Sequence, residues 1–257
     1  PATDMVPIGE QSEFDQWILV RAEALIERCR KHYADFEFHR VYQALYNFAT
    51  TDLSSIYFDA LKDRLYTMAP KSKGRRSAQT SLYKLTHALA RLLAPILSFT
   101  TDEVWQNLAK LEGDPKSVHL ALMPEPASMT SGLSDDSRAR MQNWERLMPV
   151  REQVLKALEV ARQEKFIGAP LEAKVRLRAG EALAPLLVEY IDHLPGLFIT
   201  SQVTLEPDGD TELSVHIERA DGTKCERCWK YSTLIGIEPR FPTVCDSCAA
   251  ALKEIVG

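Results

Sequence analysis

Four of the five cysteines fall in two Cys-x-x-Cys steps, Cys225-Glu-Arg-Cys228 and Cys245-Asp-Ser-Cys248, with sixteen residues between them. Two residues between cysteines let a tight turn aim both sulfurs at one ion, and soft thiolates complete a closed tetrahedron around Zn²⁺. The spacing predicts one structural zinc ion held by Cys225, Cys228, Cys245 and Cys248. Four thiolates leave no position for a bound water, so such an ion clamps the chain and performs no chemistry. Two disulfides would need an oxidising compartment, and the sequence opens with no signal-peptide pattern. A redox dithiol would be a single pair beside a βαβ unit. Cys29 stands alone on a helical pattern and reads as a small core residue. A free thiol beside a zinc tetrad points to the reducing cytoplasm.

No second chemistry is legible. The sequence holds no Gly-rich phosphate loop, no Gly-x-Ser-x-Gly elbow and no His-Glu-x-x-His. Asp59 and Asp63 lie one helical turn apart, but Lys62 and Arg64 beside them make a solvated face a better reading than an acid/base pair. His39 and His87 sit in helical stretches as structural histidines. Lys71-Ser72-Lys73 matches the lysine-rich ATP loop of class I aminoacyl-tRNA synthetases over three residues only, without a His-x-Gly-His partner, and belongs to a basic turn.

The charge is uneven. The net charge is −5, which argues against a bulk nucleic-acid binder. Yet no acidic residue falls between Asp63 and Asp102, while Arg64, Lys71, Lys73, Arg75, Arg76, Lys84 and Arg91 all do. A local basic surface can serve a polyanion without general stickiness; the alternative is a helix face that happens to lack acids. Arg75 and Arg76 stand at a predicted helix start, where free N–H groups and the guanidinium fork both suit phosphate. Around the cysteines, Lys224, Arg227, Lys230 and Arg240 interleave with Trp229, Tyr231 and Phe241, a pattern met in single-stranded RNA recognition. Trp229 directly follows a cysteine, and we assign it to the roof of the zinc core.

The elements that must carry these residues are mainly helical. Ser12-x-x-Asp15 resembles a capping box, and Phe14, Trp17, Ile18, Ala22, Leu25 and Cys29 then recur at helical spacing. A second helix is predicted from Phe38 to Tyr66, with a bend at Thr50-Thr51-Asp52. A third begins near Arg75 and is broken by Pro95, and a short one restarts at Thr101-Asp102-Glu103. Residues 113–134 form a connector. A long helix follows from Asp136, kinked at Pro149 and stopped by Gly168-Ala-Pro170. The period then changes to two over Ala173–Ala179, a half-buried strand. A helix over Glu181–Tyr190 and strands over Phe198–Leu205 and Leu213–Ile217, joined by a turn at Pro207–Asp210, complete a small α+β unit. With 45% hydrophobic and 26% charged residues the composition is that of an ordinary globular chain, and no apolar run reaches the ~20 residues of a membrane helix.

Several stretches together resemble the C-terminal part of the bacterial-type isoleucyl-tRNA synthetases. They are Glu37-Phe-His-Arg-Val-Tyr-Gln43, Phe58-Asp-Ala-Leu-Lys-Asp-Arg-Leu-Tyr66, Arg75-Arg-Ser-Ala-Gln-Thr80 and Leu93-Ala-Pro-Ile-Leu-Ser-Phe-Thr-Thr-Asp-Glu-Val-Trp105. Ala157–Arg162 with Ile167-Gly168 and Leu171-Glu172, and Cys225-x-Arg-Cys-Trp229, complete the set, which spans nearly everything from Phe14 onward. The resemblance implies a helical-bundle anticodon-binding domain over 1–165, a small α+β connector over 166–221 and a four-cysteine zinc ribbon over 222–257. It implies tRNA(Ile) as partner; from the acid-free stretch we expect phosphates to meet Lys71, Lys73, Arg75 and Arg76, and splayed bases to meet Trp17 or Arg21 on the first helix. The catalytic Rossmann and editing domains of the same polypeptide would precede Pro1, residues 1–11 being a lead-in or linker. A monomer unable to aminoacylate by itself is expected. The second cysteine step lacks a basic residue between its cysteines, against that edge touching tRNA.

Formamidopyrimidine-DNA glycosylases have a similar length, a similar terminal four-cysteine unit and an N-terminal proline nucleophile. Here Ala2-Thr3-Asp4 follows Pro1 in place of the catalytic glutamate, and residues 12–110 have helical rather than β-sandwich period. A zinc-ribbon interaction scaffold is the third reading, and binding to bulk tRNA would separate it from an RNA-binding module.

Overall fold

The computed structural model describes residues 4–207 and 212–256. The turn expected at 207–210 lies outside them apart from Pro207, as does Pro1. The chain divides into two compact units, Pro1–Phe58 with Pro70–Gln142, and Asp59–Ala69 with Asn143–Gly257. No helix of the described residues is long and apolar enough to cross a membrane.

The first unit is helical. Helix α1 (Glu13–Ala34) is capped by Ser12, whose hydroxyl accepts the Asp15 N–H at 3.4 Å and donates to the Asp15 carboxylate at 2.7 Å. Its buried stripe includes Trp17, Ile18, Leu25, Ile26 and Cys29, so the free cysteine is a core residue. Burial pushes the Cys29 thiol up to about 11, against the nearby Arg28 charge. Helix α2 (Phe38–Asn47) buries Val41 and Leu45. A π-helical run from Phe48 to Phe58 follows, and α3 (Asp59–Thr67) comes next in the chain.

A continuous α-helix with one bend was the expectation for 38–66; the structure instead widens eleven residues of it. Ser54 and Ser55 donate to the carbonyls five residues back, Ala49 and Thr50, each at 2.8 Å. Hydroxyls that reach back in this way compete with the backbone ladder. Asp52 within the run is buried and meets Arg21.

Helix α4 (Lys73–Leu93) is capped by Ser72 and ends two residues before Pro95, which has no N–H to carry the helical ladder on. Helix α5 (Ser98–Asn107) starts three residues earlier than predicted. Trp105 on it packs with Ala90, Ala94 and Val118, and its indole N–H donates to the Pro115 carbonyl at 2.9 Å. His87 lies against Trp105 and pairs with Asp114 at 3.1 Å, and burial holds its pKa below the usual histidine range. It is structural, as its helical setting predicts; His39, by contrast, is exposed.

Asp15 ties this unit together. Fully buried, its carboxylate accepts from Tyr57 OH at 2.6 Å, from Ser12, and from the Ser77 hydroxyl on α4. Ser77 in turn accepts the Ser12 N–H at 3.0 Å. The start of α1, the π-helical run and the N-terminal part of α4 thus converge on one carboxylate.

The second unit contains α3 and the chain from Asn143. Helix α6 (Asp135–Gln163) runs through Pro149, as expected, and buries Trp144, Leu147, Val150, Val154 and Leu158. Strand β1 (Ala173–Ala179) alternates as predicted, with Ala173, Val175, Leu177 and Ala179 buried. Helix α7 (Ala184–Glu189) is followed by a short α8 (Leu194–Phe198). A strand was expected to begin at Phe198; that residue instead ends α8 with its ring buried, and β2 (Gln202–Pro207) begins four residues later. The apolar run Leu194–Phe198 has no period that separates a short buried helix from a strand. With β3 (Ser214–Arg219) the sheet has the order β2-β1-β3, β1 parallel to β2 and antiparallel to β3. Arg176 bridges Glu206 and Glu218 at 3.2 and 2.8 Å, and Arg178 meets Glu206 at 2.7 Å, a cross-strand charge ladder.

The two-stranded ribbon β4 (Thr223–Lys224) and β5 (Tyr231–Ser232) flanks the first cysteine step, and α9 (Asp246–Val256) grows out of the second. Gly222 and Gly236 have φ of +88° and +75°. A side chain on Gly222 would collide with the Ser232 carbonyl, and one on Gly236 would meet the Pro242 carbonyl at 2.8 Å. Only glycine serves at both places.

Candidate zinc centre and basic surface

The first cysteine step closes as a turn, with Cys225 N–H donating to Lys230 O at 2.8 Å and Trp229 N–H to Cys225 O at 2.9 Å. The second step lies where α9 begins, and Ala249 N–H donates to Cys245 O at 2.8 Å. Cys225, Cys245 and Cys248 form a small core with Val244 and Ala249, against which Ile235, Phe241 and Leu252 pack.

Tetrahedral zinc at about 2.3 Å from each sulfur implies S–S edges of about 3.8 Å. The Cys228 and Cys245 sulfurs are 3.7 Å apart, and all four lie within 4.8 Å of one another. The cluster therefore fits one metal ion. Its four thiols sit in unequal surroundings. A hydrogen bond from Cys228, opposed by burial and helped by Arg227, draws the Cys248 thiol down to about 5. Cys228 is driven up by the same contact, and burial pushes Cys245 up to about 11. Burial also opposes ionisation of Cys225, but the N–H groups of Cys228, Cys245 and Arg227 outweigh it and bring its thiol below the ordinary range. A divalent cation takes the place of those protons, since a metal-bound sulfur is a thiolate. Arg227 supports the arrangement from outside: its guanidinium lies 3.6 Å from Cys248 Sγ and donates to the Thr67 carbonyl on α3. Such partners orient ligands and tune their basicity.

The basic stretch is less bare in space than in sequence. Lys73 meets Glu10 at 3.1 Å, and Arg76 faces Asp4 at 3.8 Å. Lys84 is half-buried and donates to the Met129 carbonyl at 2.9 Å, and burial lowers its pKa. Arg91 is likewise half-buried, with burial lowering its pKa, and donates to His87 O at 3.1 Å. Acids absent from residues 64–101 are supplied by Asp4, Glu10 and Asp114. Lys71 and Lys73 are exposed and Arg75 and Arg76 half-exposed at the start of α4, so the turn still presents a cationic edge.

One of the two residues expected to meet bases needs correction. Trp17 is 1% exposed and stacks on Phe14 with ring centroids 5.4 Å apart, so its faces belong to the core. Arg21 is partly exposed, but its guanidinium holds Asp52 at 2.7 Å. Trp229 reverses the other way. It was assigned to the roof of the zinc core, yet it is 61% exposed, and Phe241 packs there instead. Asp59 and Asp63 are ion-paired, with Lys62 at 2.7 Å and Lys230 at 2.5 Å. The terminal helix α9 was not anticipated, though Cys248, Ala251 and Leu252 recur at helical spacing.

These features define a mainly α-helical, zinc-containing protein, with a three-stranded sheet and a four-cysteine ribbon completing it. Residues 15–177 match the family described as the anticodon-binding domain of tRNA ligase, and residues 222–251 match the zinc finger found in FPG and IleRS. The chain belongs to the anticodon-binding domain family of tRNA ligases. The four-cysteine cluster is the site of a single structural zinc ion. The isoleucine–tRNA ligase of Carboxydothermus hydrogenoformans is 43% identical over 256 residues, covering 97% of this chain and 27% of that protein. Those of Moorella thermoacetica and Aquifex aeolicus are 42% and 41% identical over 99% of the chain, covering 28% and 27% of their own length. The chain thus spans little more than a quarter of the relatives it matches. The glycosylase reading is not favoured: its zinc finger is shared, but residues 13–107 are helical where that family has a β-sandwich.

Proposed function

We propose that this chain is the tRNA-binding C-terminal region of an isoleucine–tRNA ligase, gripping the anticodon arm of tRNA(Ile) while other domains of the same polypeptide perform ATP-dependent aminoacylation in the cytoplasm. The observation that carries this reading is 43% identity to an isoleucine–tRNA ligase over 97% of the chain. In this reading residues 1–165 form the anticodon-binding domain, 166–221 the connector and 222–257 the zinc ribbon. Cys225, Cys228, Cys245 and Cys248 hold the ion, and the protein acts as a monomer.

Phosphate contacts fall to Lys71, Lys73, Arg75 and Arg76 at and just before the start of α4, and Arg21 on α1 is left as the candidate for a base. Phosphate contacts position an RNA without specifying it. Changing both Arg75 and Arg76 to Ala is therefore expected to weaken all tRNAs alike and to flatten the salt dependence by roughly 0.7–0.9 log unit per lost contact. Titrating labelled tRNA at two salt concentrations decides the matter. Equal binding by parent and variant at both salts would reduce the basic edge to a solvated surface.

The chain alone is expected to catalyse no isoleucine-dependent exchange of pyrophosphate into ATP, because its sequence lacks the phosphate-binding motifs that step requires. Detectable exchange by the pure chain would refute this division of labour.

A further inference from the structure

The sheet of the second unit has an open edge at β3. That strand ends the order β2-β1-β3, and among the described residues no strand pairs with its far side. The Ala220 N–H donates to the Glu172 carbonyl at 2.7 Å, which fixes the phase of the antiparallel ladder. Ser214, His216 and Glu218 therefore exchange bonds with β1, and the backbone groups of Val215, Ile217 and Arg219 point outward. Folded proteins guard such edges with proline, lysine or a bulge. β3 has neither residue, and its pairing with β1 runs in unbroken register.

Beside this edge lies a shallow groove of about 750 Å³, lined by Ala157 and Val160 of α6, by Phe166, and by Val215 and Ile217 of β3. The same face of the sheet is closed at its centre, where Val175 and Leu177 are fully buried. It is open at β3, where Val215 and Ile217 are only half-buried. Val160 and Phe166 across the groove are 47% and 41% exposed. Unpaired backbone groups beside a row of apolar side chains are the two features that an added strand uses.

The charges restrict what fits there. Lys156 and Glu164 of α6 both line the groove, both are exposed, and among the described residues neither has an ion-pair partner. Glu159 and Arg162 between them satisfy each other at 2.8 Å. Eight helical positions at ~1.5 Å each separate the two free charges by about 12 Å. An extended chain covers that length in about four residues. Side chains four apart on a strand share one face, and the one midway between them falls opposite Val160.

We propose that the open edge of β3 takes an extended segment of a partner protein as a fourth strand. In it one apolar side chain enters the groove against Val160, and an acid and a base two positions to either side meet Lys156 and Glu164. This surface goes beyond the RNA-binding reading and does not depend on it.

The test uses the zinc-loaded chain labelled with nitrogen-15 and three capped heptapeptides followed by NMR. One is Thr-Lys-Thr-Ile-Thr-Glu-Thr; the others carry Glu, or Lys, at both charged positions. The mixed peptide is expected to shift the amides of Val215, Ile217 and Arg219 and to slow their exchange with solvent. The His216 and Glu218 amides, already bonded to β1, should keep their exchange rates. The mixed peptide should bind about 2- to 10-fold more tightly than either like-charged one, the range for exposed ion pairs. Lys156→Glu makes both ends of the groove acidic and should move the preference to the Lys-Lys peptide. Val160→Asn, at an exposed helical position that leaves β3 intact, should weaken all three peptides on the order of 5-fold through lost apolar contact. If no peptide moves these amides at millimolar concentration, or if binding leaves Val215, Ile217 and Arg219 unprotected, strand addition is wrong. If dilution of the chain alone moves them, a second copy fills the groove, and if tRNA moves them, the surface belongs to RNA; either result overturns the partner-protein assignment.

Discussion

Replacing Cys245 with serine is expected to release the zinc and unravel the tail from Gly222 onward while the helices of residues 13–107 stay folded. The zinc unit has almost no core of its own: its buried members are Cys225, Val244, Cys245, Cys248 and Ala249. Three of those five are cysteines, so the packing is the metal site. In isolated zinc-finger peptides metal binding supplies on the order of 10 kcal/mol, which is the folding energy of the unit. A serine hydroxyl is a poor substitute for a thiolate, and the remaining three sulfurs would be left to share protons in a site shaped for a dication. The first unit has its own buried stripe on α1 and does not draw on the ion for its core. Metal analysis should fall from one zinc per chain to well below it. Limited proteolysis should cut within residues 222–256 and spare α1 and α4. A variant that keeps one zinc and a protected tail would refute the clamp.

Replacing Asp15 with alanine is expected to destabilise the first unit by about 2–6 kcal/mol, because it strips at least two buried hydroxyl donors of their shared acceptor. The reason is the number of donors it leaves behind. Tyr57 and Ser77 point their hydroxyls at the carboxylate from different elements, and Ser12 both donates to it and caps the helix. Each buried donor stripped of its acceptor costs about 1–3 kcal/mol. Tyr57→Phe, which removes a donor and leaves the acceptor with two others, should cost roughly 1 kcal/mol. Urea unfolding followed by helical circular dichroism measures both. A loss below about 1 kcal/mol for Asp15→Ala would mean that the three elements are held by their apolar contacts alone.

The chemistry that was legible in the sequence was local. A cysteine step needs only two intervening residues to aim its sulfurs, so Cys225, Cys228, Cys245 and Cys248 declared a metal site before any fold was known. Ser12 and Asp15 lie one turn apart, and the cap they form is the one their spacing predicted. The alternation over Ala173–Ala179 is likewise a property of adjacent residues, and β1 has that alternation. What stayed hidden depends on residues far apart in the chain. Lys73 and Arg76 looked unneutralised because Glu10 and Asp4 stand more than sixty positions away. Asp15 looked like a helix cap and became a junction only when Tyr57 and Ser77 arrived from other elements. Trp17 and Trp229 exchanged their expected roles for the same reason. Both are aromatic residues on plausible faces, and the choice between core and solvent was made by which neighbours closed over them. Sequence spacing determined each cysteine pair and most helices, because those are satisfied within a turn or two of backbone; tertiary structure alone decided which charges remain available and which aromatic rings stay exposed, because both depend on closure through space.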